Sequence, residues 1–151
     1  MDKNLHEKIY RINWLTEKID SLYHRAAREL GVSDSVLFVL YMTYINKERC
    51  PLHDIYMLSG ISKQTINSAI RRLENEGAIF LEKNSGKAKT VCLTEQGRRY
   101  AKQTAAKLFE AECSAFQSWS EEELSLYLTL MEKHNASLRK EIDRFGQTQQ
   151  G

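Results

Sequence analysis

The sequence has a single proline and only seven glycines in 151 residues. Because these two residue types interrupt helices most strongly, their scarcity leaves long stretches in which a helix can run unbroken. Hydrophobic residues make up 42% of the chain and charged residues 28%, which is typical of a globular domain with a buried core. We therefore expect one mainly helical domain in which any sheet is small.

Long apolar runs are also lacking. The longest, at 36–42, is too short to span a membrane, and the polar first residues do not form a signal-peptide pattern. Three cysteines, Cys50, Cys92 and Cys113, are an odd number without metal-ligand spacing, which favours a reducing compartment over a disulfide framework. These features predict a cytoplasmic protein whose cysteines serve in packing.

Signatures of catalysis and of metal binding are missing as well. The sequence has no Gly-rich phosphate loop, no nucleophile elbow and no His-x-x-x-His pair, so we expect neither an enzyme nor a cofactor. The four histidines, at positions 6, 24, 53 and 134, are scattered without the spacing of metal ligands, and we predict no metal site.

Helical periodicity is strong at both ends of the chain. Apolar residues recur every three or four positions over 5–30, which predicts a long amphipathic helix that Gly31 ends. Ser33 is expected to cap a second, apolar helix to about residue 46, followed by a loop at 47–50. Thr94 is expected to cap a helix that continues past Phe109, and Ser120 with Glu123 forms a capping box for the last helix.

The middle of the chain contains two short helical patterns around a tight turn. We place Pro51 in the first turn of a helix that stops at Gly60. Ser62 is expected to cap the next helix, which ends at Gly77 and shares one apolar face among Ile66, Ala69, Ile70 and Leu73. Two helices joined by a Gly-containing turn predict a helix-turn-helix motif.

The second helix of this motif carries polar side chains opposite its apolar face. A step of about 100° per residue from a core-facing Ile66 turns five of them to solvent, namely Gln64, Asn67, Ser68, Arg71 and Arg72. Gln and Asn can pair with adenine through two hydrogen bonds and Arg with guanine. Ser62, Lys63 and Thr65 at the helix start are placed to hold phosphates. For this helix alone, an ordinary solvated face is the alternative interpretation.

A basic hairpin pattern follows this helix. Two β-prone segments, 79–83 and 90–93, flank a polar turn, and Lys83, Lys87 and Lys89 suit a wing that contacts phosphates or the minor groove. The region 62–89 has six basic and three acidic residues, a net charge of +3, whereas 110–145 has four basic and eight acidic residues, a net charge of −4. The basic segment 62–89 is suited to contact DNA, whereas the acidic segment 110–145 is expected to face away from it.

At this point the sequence resembles the MarR family of bacterial transcriptional regulators. The resemblance rests on the run IYMLSGISKQTINSAIRRLENEG at 55–77 and on LTEQG at 93–97, and the order of elements matches over nearly the whole chain. It implies a homodimer in which the first and last helices of both chains interlock, while each winged motif enters half of a pseudo-palindromic site. Ser85 and Lys87 stand where the family has an acidic residue and Arg at the wing tip, so Lys87 lacks the planar fork of a guanidinium.

These observations together predict a winged helix-turn-helix with long terminal dimerisation helices, a mainly α chain with a small β wing. We expect a single-domain chain, 1–151, with helical dimerisation regions at 1–47 and 98–145, a DNA-binding region at 48–97 and a disordered tail at 146–151. The predicted function is a homodimeric regulator, a repressor on the family's pattern, that binds double-stranded DNA.

Three further possibilities stay open from the sequence. The family implies a small aromatic or phenolic ligand, and Trp14, Tyr23, His24, Tyr41 and Tyr44 would line its site, although they also suit core and interface positions. Cys113 is the best candidate for a redox-sensing thiol. The protein could instead be a winged-helix module that binds a partner protein and not DNA, an interpretation that the polar side chains at 64–71 disfavour.

Overall fold

Seven helices and a three-stranded antiparallel sheet make up the part of the chain that the computed structural model describes, residues 3–147. The helices are α1 (Lys3–Glu29), α2 (Asp34–Ile45), α3 (Leu52–Leu58), α4 (Lys63–Asn75), α5 (Glu95–Gln103), α6 (Ala105–Phe116) and α7 (Glu121–Gln147). The strands are β1 (Arg49–Pro51), β2 (Ile79–Lys83) and β3 (Lys89–Leu93). The predicted mainly helical fold with a small wing sheet is confirmed.

The chain divides into two compact units, which meet in sequence at residues 110 and 111. The first unit holds the helix-turn-helix, the sheet and most of the hydrophobic core. Its largest fully buried side chains come from α2, α3 and α4, among them Leu40, Ile55, Ile66 and Leu73. The second unit contains α7, whose start has the predicted capping box, with Ser120 and Glu123 each accepting the other's backbone N–H at 3.1 and 2.8 Å.

The predicted caps begin their helices as expected. The side-chain oxygens of Ser33, Ser62 and Thr94 each accept the backbone N–H three residues later, at 3.2, 3.2 and 3.0 Å. Such bonds satisfy one of the backbone donors that a helix start leaves without a partner. Because the caps are local, the sequence fixes where α2, α4 and α5 begin.

The predicted loop at 47–50 is correct for residues 47 and 48 but wrong for 49 and 50, because residues 49–51 form β1. This strand pairs with β3 and completes a sheet in the order β1-β3-β2, with Cys50 opposite Val91. Pro51 ends the strand and is the N-cap of α3, so it lies just before the helix and not in its first turn. A three-residue strand is too short to show a period of two, and its partner lies far along the chain.

Two predicted helix limits also differ. Thr104 separates α5 from α6 with φ −129° and ψ −83°, where we expected one continuous helix. Its hydroxyl donates to the carbonyl oxygen of Tyr100 at 2.8 Å, a local bond that competes with regular helix. At the other end, α7 includes Gly146 and Gln147, the first two residues of the predicted disordered tail, and the rest of that tail, 148–151, lies outside the described residues.

In the described range 3–147, no helix combines the length and the apolar character needed to cross a membrane.

Candidate nucleic-acid interface

Helix α4 presents a polar face because its apolar face is fully used in the core. Ile66, Ala69, Ile70 and Leu73 are buried, whereas Gln64, Thr65, Ser68, Arg71 and Arg72 are exposed. The Ser68 hydroxyl donates to the carbonyl oxygen of Gln64 at 3.1 Å, so it is tied to its own helix. The side chains of Gln64 and Arg71 bond to no other residue that the structure describes, and they are the ones most free to meet a ligand.

The two adjacent arginines of α4 differ in their surroundings. Arg72 Nε lies 2.9 Å from Glu76 Oε1 one turn later, and this hydrogen bond and ion pair raise the pKa of Arg72. Both side chains of the pair are largely exposed, so it adds little to stability. It does engage Nε of Arg72, whereas Arg71 has no such contact among the described residues and is the better candidate for a base contact.

Asn67 is not turned fully to solvent, contrary to the prediction from helical geometry. It lies at the edge of the polar face and is half-buried. Its side-chain oxygen Oδ1 accepts a hydrogen bond from the hydroxyl of Tyr56, on the preceding helix α3. Sequence periodicity missed this contact, since it predicts the faces of single helices and not the packing between two.

The start of α4 holds the side chains predicted to face phosphates. Ser62 Oγ caps the helix and also lies 2.8 Å from the hydroxyl of Thr65. The Lys63 ammonium lies 4.9 Å from the centre of the Tyr56 ring, a distance suited to a cation–π contact. The helix therefore begins with an exposed positive charge beside free backbone N–H groups, an arrangement that favours anions.

The hairpin of β2 and β3 forms a basic wing. Lys83 and Lys89 are direct cross-strand partners, and both are exposed, as is Lys87 in the turn. Like charges placed opposite each other on a hairpin destabilise it unless an anion neutralises them. The nearby Glu82 does not serve this purpose alone, because it pairs with Arg49 on β1 at 2.6 Å.

The turn at the tip of the wing reverses the chain between the end of β2 at Lys83 and the start of β3 at Lys89. The backbone N–H of Asn84 donates to the carbonyl oxygen of Ala88 at 2.9 Å, and its side-chain amide donates to Thr90 Oγ1 at 2.7 Å. Gly86 has φ +70°, a conformation in which a side chain is strained. The turn holds Lys87 at the tip of the wing.

The residues predicted to line an effector site are not all in one place. Tyr41 and Tyr44 are half-buried against the core, and the Tyr44 ring packs edge-on against Phe109 at 6.3 Å. Trp14 is half exposed on α1, and its ring lies beneath the Lys18 ammonium at 5.0 Å. Ten residues of helix separate it from His24, about 15 Å along the axis, so one small ligand cannot contact both.

His24 joins the end of α1 to the start of α2. Its Nδ1 lies 2.9 Å from Asp34 Oδ2 and its Nε2 lies 3.0 Å from Asp20 Oδ2. Since ionised carboxylates only accept hydrogen bonds, both ring nitrogens donate and the imidazole is protonated in this arrangement. Asp34 first, and then Asp20, raise the pKa of His24 above its ordinary value of 6.5.

This arrangement predicts a pH-dependent contribution to folding stability. Because the folded-state pKa is raised, the contribution is complete below about pH 6.5 and is lost as the pH rises through the folded-state value. We expect the Tm difference between wild type and His24→Ala to be larger near pH 6 than near pH 8.5, by a modest amount because the group is exposed. Thermal melts followed by circular dichroism would measure it. An equal difference at both pH values would contradict the protonated bridge, and Asp34→Asn should reduce the pH dependence.

The three cysteines differ in their access to solvent. Cys50 and Cys92 are buried, and burial, followed by the charge of Asp54, raises the pKa of the Cys50 thiol to about 11. Burial is also the main cause of a raised pKa at Cys92. Cys113 is exposed and is thus the one thiol of the three that a solvent oxidant could reach. Within residues 3–147, no cluster of His, Cys, Asp or Glu is arranged to hold a metal ion.

The fold has clear counterparts among solved structures. A MarR family regulator from Neisseria meningitidis matches with a TM-score of 0.75 and 18% identity over 95% of this chain and 99% of that one. S. aureus MepR, in complex with DNA, matches with a TM-score of 0.65 and 18% identity over 85% and 94%. BpsR of Bordetella bronchiseptica, whose DNA binding is regulated by 6-hydroxynicotinic acid, matches with a TM-score of 0.61 and 16% identity over 83% and 98%.

No protein-family model matches the sequence, and no curated protein does. At the identities of the structural matches the likeness is one of fold, and it extends over nearly the full length of the regulators concerned. The resemblance predicted from residues 55–77 and 93–97 is confirmed at this level: the chain has the fold of MarR family regulators.

Proposed function

We propose that the protein is a sequence-specific DNA-binding transcriptional regulator, a cytoplasmic repressor that binds a pseudo-palindromic operator as a homodimer. The observation that carries this proposal is the surface formed by α4 and the wing. Helix α4 presents the unpaired side chains of Gln64 and Arg71, and the hairpin beside it presents Lys83, Lys87 and Lys89 without acidic partners among the described residues. This combination suits base edges in the major groove flanked by phosphates.

The role proposed for each side chain on this surface follows from the contacts that it makes. Gln64 and Arg71 are assigned to bases, and they are supplemented by Ser68 and, at the edge of the face, by Asn67. Lys63, Thr65 and Ser62 at the helix start, with Lys87 and Lys89 on the wing, are assigned to phosphates. Arg72 is assigned a secondary phosphate contact through its terminal nitrogens because Glu76 already engages its Nε.

The homodimer is supported by the apolar side chains that α1 and α7 leave exposed. Helix α1 buries only Ala27 among its residues, although Ile9, Ile12, Leu15 and Ile19 form a stripe along it, each more than two fifths exposed. Helix α7 likewise exposes Leu126, Leu130, Leu138 and Ile142. Stripes of this length on two 27-residue helices exceed the scattered apolar exposure of a monomer, and a second copy of the chain would cover them.

We expect Ile12→Glu to weaken this dimer. A carboxylate in the apolar stripe is buried on association, and a two-fold interface contains the change twice, so the dimer Kd should rise about 10- to 100-fold. Asn13→Glu is the control, because it adds the same charge to the next residue, off the stripe. Sedimentation velocity over a range of concentrations measures both. A chain that is monomeric before any substitution, or equal Kd values for the two variants, would contradict the dimer proposal.

We propose a small aromatic or phenolic ligand as the signal that releases DNA. The support is the two half-buried, polar-tipped aromatics Tyr41 and Tyr44 of α2, together with the His24 ring, whose nitrogens Asp34 and Asp20 hold at the junction of α1 and α2. BpsR, a structural counterpart, has its DNA binding regulated by 6-hydroxynicotinic acid. Trp14 lies too far along α1 to share a small ligand with His24, so we leave it out of the proposed site.

The DNA-binding proposal is tested by selecting bound duplexes from a random pool at a stated salt concentration. We expect enrichment of a palindromic consensus, with half-sites about one helical turn apart. Binding without enrichment would indicate only non-specific attraction to phosphates and would overturn a sequence-specific regulator. No binding at all would favour a partner-protein module, although the polar face of α4 lacks the aromatic side chains typical of protein interfaces.

A further inference from the structure

Tyr56 of α3 contacts two residues of α4 at once. Its hydroxyl donates to Asn67 Oδ1, and its ring lies beneath the Lys63 ammonium at 4.9 Å. Tyr56 and Asn67 are both half-buried, so the hydroxyl reaches Asn67 from inside the helix-turn-helix and not from solvent. The contact joins the first helix of the motif to the polar face of the second.

This contact determines which atom of the Asn67 amide faces outward. The oxygen and the nitrogen of a side-chain amide point in different directions from the carbon that carries them. When Oδ1 is held against Tyr56, the Nδ2 group is therefore directed away from the Tyr56 hydroxyl. Nδ2 makes no hydrogen bond with another residue in the described part of the chain. The atom offered to a ligand at this edge of α4 is therefore a donor.

An asparagine that offers only its Nδ2 donor prefers different bases from one whose whole amide can face the base. Pairing with adenine requires the amide oxygen and nitrogen to face the base together, because adenine offers one acceptor and one donor in the major groove. Guanine offers two adjacent acceptors, N7 and O6, which the two hydrogens of Nδ2 can reach, whereas thymine offers one acceptor, O4, beside a methyl group, and cytosine offers only a donor.

We infer that Tyr56 is a specificity-determining positioning residue: by holding Asn67 Oδ1, it makes Asn67 select a guanine-type acceptor edge in place of adenine. The inference rests on the proposed function, since it assigns the base preference of one residue on the DNA-binding surface. It corrects the adenine pairing that the sequence alone predicts for Asn67.

Selection from a random 20-base-pair duplex pool tests the inference with four proteins: wild type, Asn67→Ala, Tyr56→Phe and Asn67→Asp. Asn67→Ala identifies the base that Asn67 contacts, because the preference there should flatten. Tyr56→Phe keeps the ring and the Lys63 contact but frees the amide oxygen, so the preference at that base should move from guanine toward adenine by about tenfold. Asn67→Asp keeps an oxygen for Tyr56 and turns an acceptor outward, so cytosine should be favoured.

Each outcome decides the inference. A wild-type consensus that Tyr56→Phe leaves unchanged at the Asn67 base, or an Asn67→Ala variant with no flattened position, would overturn it while leaving the DNA-binding proposal in place. Failure of the wild-type protein to enrich any sequence would overturn the proposed function and the inference together. Thermal melts verify that each variant is folded, and if Tyr56→Phe is not, the wild-type preference decides the question: guanine at the base that Asn67→Ala flattens supports the inference, and adenine there overturns it.

Discussion

The Gly97→Ala variant is expected to lose about 3 kcal/mol or more of folding stability, a fall in Tm of roughly 6–12 °C. A Cβ on Gly97 would lie 1.8 Å from the carbonyl oxygen of Ala78 and 3.3 Å from the side chain of Leu93. The Ala78 backbone cannot easily move aside, because its carbonyl oxygen accepts the Thr94 backbone N–H at 3.0 Å. Gly97 thus lets the start of α5 approach the base of the wing.

Gly146→Ala is the matched control for this prediction. Gly146 also lies in a helix, but nothing would come within 4 Å of an added Cβ. Alanine there should be neutral or stabilise by up to about 1 kcal/mol, because glycine is the poorer helix former. Urea unfolding of the two variants and of wild type gives the comparison. If Gly97→Ala unfolds at the wild-type midpoint, the close approach of α5 to Ala78 does not exist in solution.

The double variant Gln64→Ala/Arg71→Ala is expected to bind the selected operator about 2–6 kcal/mol more weakly per half-site, since each lost base contact costs about 1–3 kcal/mol. Both side chains are exposed at the centre of the polar face of α4 and are free of partners in the described structure. Binding to an unrelated duplex should fall much less, because only one positive charge per subunit is lost. Fluorescence anisotropy with both duplexes at one salt concentration separates the two effects.

Arg72→Ala supplies the control for the loss of charge. It removes the same charge from the neighbouring position, but from a guanidinium that Glu76 already holds at 2.9 Å. We expect a small decrease in affinity that is similar for all duplexes. If Arg72→Ala and the double variant lose equal affinity, and lose it equally on both duplexes, then α4 contributes charge and not base recognition.

Much of the fold was predictable because its signals are local. Ser33, Ser62 and Thr94 cap their helices through bonds that span three residues, and the apolar stripe of α4 follows the period of one helix. The same reasoning placed Gln64 and Arg71 on an exposed face. It placed the wing lysines only approximately, since the hairpin register of Lys83 opposite Lys89 depends on pairing between strands.

The sequence by itself determined that this protein has a helix-turn-helix with a polar second helix and a basic hairpin, because helix periods, caps and turn residues act between near neighbours. Only the tertiary structure decided that residues 49–51 form a strand on β3 and that Tyr56 holds Asn67. These depend on which rotamers and surfaces meet when distant segments pack, and no single-helix pattern contains that information. For Asn67 the difference lies in which atom of one amide faces outward, and with it the base that we expect the protein to recognise there.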